Sequence, residues 1–207
     1  MQMKKLVLAF MAVLAAVVAA VAQTPKEIVD RMEATMNAHE KEGVIMTVDL
    51  KLLIVGTTTS KSYMLGDKTR VEMKMMGVQI ITWSDGEKDW TYICKDNTLT
   101  IEKSKGDASE AGDTEMFSGI TDGYDVTLKK ETADAWYFLC KKSKRNKEKD
   151  DPKTIDLVIS KKNYYPLSLK ASVSGMTMTM REISFGVTEA DVTCDPSKFP
   201  GVKIIRK

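Results

Sequence analysis

A mainly β fold with few helices (α+β) is predicted for this sequence, built as one strongly curved antiparallel sheet or incomplete barrel of about eleven strands. Three observations predict it. From Val44 onward, apolar and polar residues alternate with period two in almost every segment. Turn pairs such as Gly66-Asp67, Asp85-Gly86 and Ser174-Gly175 punctuate those segments at hairpin spacing. A single amphipathic helical pattern precedes the strands and has only the sheet on which to lay its apolar stripe.

The first 22 residues stand apart from the fold. Lys4 and Lys5 form a charged start, Leu6 to Val21 is continuously apolar, and Ala20-Val21-Ala22 is a small-x-small cleavage site. This is the pattern of a secretory signal peptide cleaved before Gln23, and the run is short for a membrane anchor. Removing 22 residues from 207 leaves 185, read as a single domain over 23–207. Lys4 and Lys5 leave with the signal, so 29 basic side chains balance 29 acidic ones. A neutral chain exerts no overall pull on nucleic acid. The three cysteines, Cys94, Cys140 and Cys194, are too few and too widely spaced for a disulfide framework. One disulfide plus a free thiol fits an exported protein, and buried, inert thiols fit Cys94 and Cys140 equally well.

Thr24-Pro25-Lys26-Glu27 opens the helix, with Thr24 and Glu27 as a capping box and Pro25 at the first helical position. Ile28, Met32 and Met36 recur every four residues, with Val29 beside them, and Gly43 is read as the stop. In the first strand Met46, Val48, Leu50, Leu52 and Ile54 alternate with Thr47, Asp49 and Lys51. The second, about Thr57 to Leu65, ends at Gly66-Asp67. The third carries Val71 and Met73. A three-residue loop at Met75-Met76-Gly77 then sets Val71 opposite Ile81 and Met73 opposite Gln79.

The stretch from Ile80 to Glu102 reads as three strands joined by tight turns at Asp85-Gly86 and Asp96-Asn97. Two-residue turns set Trp83 opposite Lys88, Ile81 opposite Trp90, Cys94 opposite Leu99 and Tyr92 opposite Ile101. Ile81, Trp83, Trp90, Tyr92, Cys94, Leu99 and Ile101 then share one aromatic face with Val71 and Met73. The other side, with Thr82, Thr91, Thr100, Glu102, Ile80 and Ile93, reads as partly facing water.

Ser104 to Thr121 is rich in loop and cap residues, with a short helix read around Thr114 to Ser118. Strands resume at about Tyr124–Lys130 and Ala135–Lys142. The charged connection Lys141–Lys153 is read as a solvated hairpin tip, with a docking patch for an acidic partner or headgroup as the rival reading. Ile155, Leu157 and Ile159 alternate next, then Leu167, Leu169, Ala171 and Val173. A turn at Ser174-Gly175 pairs Val173 with Met176, Ala171 with Met178 and Leu169 with Met180, leaving one wholly apolar face.

The chemistry-bearing motifs are few. His39, the sole histidine, falls near the end of the helix, and no G-x-S-x-G elbow exists. No H-E-x-x-H, paired C-x-x-C or phosphate-binding glycine motif occurs, so no metal, no cofactor and no enzymatic activity are expected. What the chain offers instead is adaptable apolar surface. Eleven methionines remain after the signal, and methionine suits surfaces that receive variable apolar ligands as well as irregular cores. A curved sheet whose apolar face outgrows one helix and a short loop helix encloses a lipid-sized hollow.

Several segments carry a family resemblance: Tyr63-Met64-Leu65-Gly66-Asp67-Lys68-Thr69-Arg70-Val71, Ser84-Asp85-Gly86-Glu87-Lys88-Asp89-Trp90-Thr91-Tyr92, Asn163-Tyr164-Tyr165-Pro166-Leu167, and the terminal Phe199-Pro200-Gly201-Val202-Lys203-Ile204-Ile205. Together they resemble the LolA-like family of periplasmic outer-membrane lipoprotein carriers. The resemblance implies an eleven-stranded unclosed barrel lidded by helices, with a cavity for the acyl chains of lipoproteins. It also implies handover from an inner-membrane releasing complex to an outer-membrane acceptor, a periplasmic location and a monomer. The carriers' lid-holding arginine of the first strand region has no counterpart between Gly43 and Thr69, and Arg70 lies in a later strand. The expected cavity and lid residues are Ile28, Met32, Met36, Met46, Val48, Leu50, Met73, Trp83, Trp90, Tyr92, Leu99, Ile101, Leu169, Met176, Met178 and Met180. Relatives of this fold also include periplasmic sensors that act through protein contacts, which is the alternative reading.

Overall fold

The computed structural model describes residues 23–52, 56–104, 119–149, 151–173 and 175–207. The signal peptide read over 1–22 and the short helix read around Thr114 to Ser118 lie outside the described residues.

Helix α1 spans Pro25–Ala38 and begins as its sequence dictates. Glu27 N donates to Thr24 Oγ1 at 3.2 Å and Thr24 N donates to Glu27 Oε2 at 2.7 Å, so two otherwise orphaned donors are satisfied. The helix ends before Gly43, at His39, and a 3-10 turn over Glu40–Glu42 intervenes. Gly43 then turns the chain into the sheet at φ +68°, a left-handed value that suits a residue without Cβ.

Twelve strands follow among the described residues: β1 (Val44–Leu52), β2 (Gly56–Leu65), β3 (Lys68–Met75), β4 (Val78–Ser84), β5 (Lys88–Ile93), β6 (Thr98–Lys103), β7 (Tyr124–Glu131), β8 (Ala135–Lys142), β9 (Thr154–Ser160), β10 (Pro166–Val173), β11 (Met176–Phe185) and β12 (Lys203–Arg206). A short helix α2 spans Glu189–Val192. The strands form one unclosed sheet in the order β12-β6-β5-β4-β3-β2-β1-β11-β10-β9-β8-β7. Every pairing is antiparallel except that of β12 with β6. Eleven strands are those that the alternation predicts; β12, only four residues long, carries no periodicity of its own.

The register of β10 on β11 is the predicted one, with Val173, Ala171 and Leu169 opposite Met176, Met178 and Met180. Two other hairpins differ by two residues. Asp85 pairs with Lys88, so the turn is Gly86-Glu87, with Gly86 at φ +85° and Asp85 Oδ1 accepting from the N–H of Glu87 and Lys88. Trp83 therefore faces Trp90, and Ile81 faces Tyr92. The next connection is a 3-10 turn at Cys94–Asp96 closed by Asn97 at φ +42°, so Tyr92 faces Leu99 and Trp90 faces Ile101. A slip of two preserves each side chain's face. It does move Cys94 out of the strand, and Cys94 is exposed rather than buried.

The β3–β4 hairpin corrects the sequence reading more deeply. Met76 at φ +50° and Gly77 at φ +82° form a two-residue turn with both central residues left-handed, the geometry whose twist matches the flanking strands. Methionine tolerates that conformation here with its side chain 92% exposed. Val71 then faces Thr82 and Met73 faces Ile80, a change of one residue that carries both to the face opposite the aromatic one.

Candidate functional site: an apolar sheet face half covered by a helix

Directly opposed residues of neighbouring strands share a face, so the registers trace rows across the sheet. One row runs Ile93, Ile80, Met73, Ser60, Val48, Met180, Leu169, Leu157, Phe138, Leu128, from β5 to β7. A parallel row runs Thr58, Leu50, Met178, Ala171, Ile155, Cys140, Val126. Helix α1 lies on this face. Its Ile28, Val29, Met32 and Met36 are 0–3% exposed and pack with Met46, Phe138, Cys140, Ile155, Leu157, Ile159 and Leu169. Burial of each such side chain contributes about 1.5–3 kcal/mol, so this half of the sheet is a closed core.

The same face is open towards β5. Met73, Ile80 and Ile93 are half-buried and, among the described residues, join no apolar cluster. Leu50 and Met178 are likewise half-buried and outside the clusters, and Met176 is 41% exposed. Hydroxyl side chains, Thr58, Ser60 and Ser62, separate the two apolar groups on β2.

The reverse face carries the second core. Ile81, Trp83 and Leu99 are buried and pack with Trp90, Tyr92 and Ile101 beneath Cys194, Phe199 and Val202 of the C-terminal segment. The Phe199 ring centroid lies 4.2 Å from that of Tyr92 and 6.0 Å from that of Trp83. Tyr92 Oη donates to Asn97 Oδ1 and Asn97 Nδ2 donates to the Pro200 carbonyl, both at 3.1 Å. The Arg70 guanidinium lies 5.3 Å from the Tyr63 ring and 5.8 Å from the Trp83 ring, is ion-paired with Glu72, and donates to the Asp191 carbonyl. Arg70 thus fastens the C-terminal segment to the sheet on the side away from α1.

The expected cavity residues therefore do not form one surface. Ile28, Met32, Met36, Met46, Val48, Leu50, Met73, Leu169, Met176, Met178 and Met180 belong to the helix-bearing face. Trp83, Trp90, Tyr92, Leu99 and Ile101 belong to the reverse face. Ile80 and Ile93, read as facing water, belong with the first group. The available signal was the apolar spacing of Val192, Phe199 and Val202, which have to cover something at the end of the chain. A groove of ≈ 970 Å³ joins polar and charged residues of the reverse face, among them Thr47, Lys61, Glu72, Gln79 and Arg181, to the apolar Met73, Met76 and Val78 of the β3–β4 hairpin.

The helix is fastened by residues to which the sequence assigns no such role. Arg31 stands 4.4 Å from the centre of the Tyr164 ring, and Tyr164 Oη donates to Gln23 Oε1. His39 stacks on Phe185 at 4.8 Å and joins Tyr165 Oη through Nε2 and Glu42 through Nδ1. Asn163-Tyr164-Tyr165-Pro166 is thus a structural anchor for the lid, which carries its own arginine. Where α1 meets Gly119, burial pushes the Glu33 carboxyl up, partly offset by the Gly119 N–H at 3.3 Å. Asp49 is held below the usual carboxylate range by hydrogen bonds from Arg181 and Thr59.

Nothing in this constellation activates a nucleophile. Burial pushes the Cys140 and Cys194 thiols up to about 11, and no cluster of three or more metal-ligating side chains occurs among the described residues. Cys94 is exposed, Cys194 is half-buried and Cys140 is buried. Native protein treated with iodoacetamide at pH 8 is expected to be modified first at Cys94 and not at Cys140, and modification of Cys140 without denaturant would contradict its burial.

The architecture defines a class: an open sheet with a helix over part of its apolar face and a strap over its reverse. It is a fold that a solved mycobacterial protein shares. LprF from Mycobacterium bovis superimposes with a TM-score of 0.51 at 9% identity, over 83% of this chain and 97% of that one. A conserved protein from Thermus thermophilus, described as uncharacterized, gives 0.47 at 19% identity, over 89% of this chain and all of that one. A LolA superfamily protein from Nitrosomonas europaea gives 0.32 at 11% identity, over 84% of this chain and 99% of that one. No family profile and no curated protein matches the sequence.

Proposed function

We propose that this protein is a non-catalytic carrier, working in the compartment to which its signal sequence directs it. It takes up acyl chains of lipoproteins or lipids on the open part of its helix-bearing face. One observation carries the reading. The cross-strand row that is solid core at Leu169, Leu157 and Phe138 continues as half-buried Met73, Ile80 and Ile93, where no described cluster covers it. Leaving such side chains against water gains nothing unless something apolar covers them in use. Each methylene buried there contributes about 0.8 kcal/mol, so one chain binds weakly and reversibly and a few together bind firmly. The resemblance of the sequence to carriers of the envelope supports the reading. Movement towards an outer-membrane acceptor extends the same proposal.

Native mass spectrometry of protein isolated from its export compartment without detergent tests it. Adducts whose masses correspond to acyl lipid or acylated peptide, displaced by added fatty acid, are the expected result. Preparations that are uniformly ligand-free and bind no fluorescent fatty acid would overturn it.

A further inference from the structure

Three connections between strands lie on one rim of the sheet. The registers place there the β3–β4 turn, where Met75 pairs with Val78, and the β10–β11 turn, where Val173 pairs with Met176. The β8–β9 connection belongs to the same rim, since Lys141 pairs with Thr154. Three of the exposed large apolar side chains stand on it: Met76 at 92%, Met75 at 44% and Met176 at 41% exposure. Met75 and Met176 also continue the open apolar face, one step beyond Met73 and one beyond Met178.

The cations gather on the same rim. The thirteen residues Lys141–Lys153 hold seven basic and three acidic side chains. Among the described residues, Lys141, Lys144, Arg145, Lys147, Lys149 and Lys153 enter no ion pair. The described residues of the connection are nonetheless held in place by hydrogen bonds. Ser143 N donates to the Gly123 carbonyl at 2.9 Å, Tyr124 Oη to that of Pro152 at 2.9 Å, and Asn146 Nδ2 to Asp151 Oδ2 at 2.6 Å. These bonds hold the excess positive charge at a fixed place on the rim, two strands from Met176 and five from Met75.

We infer that this rim docks on an anionic lipid bilayer, with the methionine tips entering the headgroup region and the Lys141–Lys153 connection meeting lipid phosphates. Apolar tips and unpaired cations on one rim match that surface on both counts, since bilayer affinity grows with buried apolar area and with each cation near anionic headgroups. A polar acidic protein would satisfy the cations and leave Met76 in water. The inference stands apart from acyl-chain binding, because docking needs no occupied hollow.

Flotation with vesicles tests it, using protein purified after export, phosphatidylglycerol-rich vesicles and neutral phosphatidylcholine vesicles. Partition onto the anionic vesicles is expected to exceed that onto neutral ones by roughly tenfold at low salt and to fall as salt is added. Lys144→Glu with Arg145→Glu lowers it at least tenfold. Met76→Asp lowers it about fivefold without loss of folding, because aspartate tolerates the left-handed turn conformation. Equal partition onto both vesicle types, or partition that neither variant changes, overturns the inference. So does capture of an acidic protein through Lys144 and Arg145 with no vesicle binding. Fatty-acid binding by both variants remains at the unmodified level, which separates this result from failure of the carrier reading.

Discussion

Replacing Gly43 with alanine is expected to lower the unfolding free energy by about 3 kcal/mol, read from urea denaturation. Two costs combine. A non-glycine residue at φ +68° is strained by about 1–2 kcal/mol. The added Cβ would stand 2.6 Å from the Met64 carbonyl oxygen and 2.7 Å from Val187 Cβ, and overpacking of that kind costs about 1–3 kcal/mol more. Gly43 is where the chain from α1 enters the sheet, while the Gly186 and Val187 N–H groups bond the Glu42 carbonyl beside it. The clash therefore falls on the meeting point of lid, sheet and C-terminal strap. Gly66→Ala is the control, with φ +58° and nothing within 4 Å of its Cβ, and should cost only about 1 kcal/mol. Equal losses at the two sites would show that backbone strain alone, and no close approach, explains the glycine at 43.

A second pair of substitutions separates the closed half of the apolar face from the open half. Leu157→Ala, at a site with no exposure beneath α1, is expected to cost about 3 kcal/mol by removing transferred methyl groups and leaving a cavity. Ile80→Asp, on the same cross-strand row but outside the cluster, should leave the urea midpoint nearly unchanged because its side chain already meets water in part. It should nevertheless weaken fatty-acid binding roughly tenfold or more, since the bound chain would have to desolvate a carboxylate. If Ile80→Asp unfolds the protein as severely as Leu157→Ala, the open strip is ordinary core and no acyl chain is accommodated there.

The same contrast explains what could be read from the residues. Alternation over Met176–Arg181 and Pro166–Val173, joined by a glycine turn, admits one register, and the structure has it. The capping box at Thr24–Glu27 likewise fixes the start of α1 through bonds three residues apart. These features are local, and short-range sterics and hydrogen bonding suffice to impose them. Met75-Met76-Gly77 is local too, yet its loop length turns on whether Met76 accepts a positive φ. That single torsion reassigned Val71 and Met73 to the other face.

Composition and periodicity determined that the chain is an antiparallel open sheet preceded by one amphipathic helix, because period two and period 3.6 each follow from backbone geometry alone. Only the tertiary structure decided which stripe meets the helix and which the C-terminal strap. A two-sided sheet offers an apolar stripe on each face, and nothing in the alternation labels one as inner. That choice belongs to contacts between residues more than a hundred positions apart, such as Arg70 with Asp191 or Arg31 with Tyr164, and it is made by whichever distant segment covers each stripe most completely.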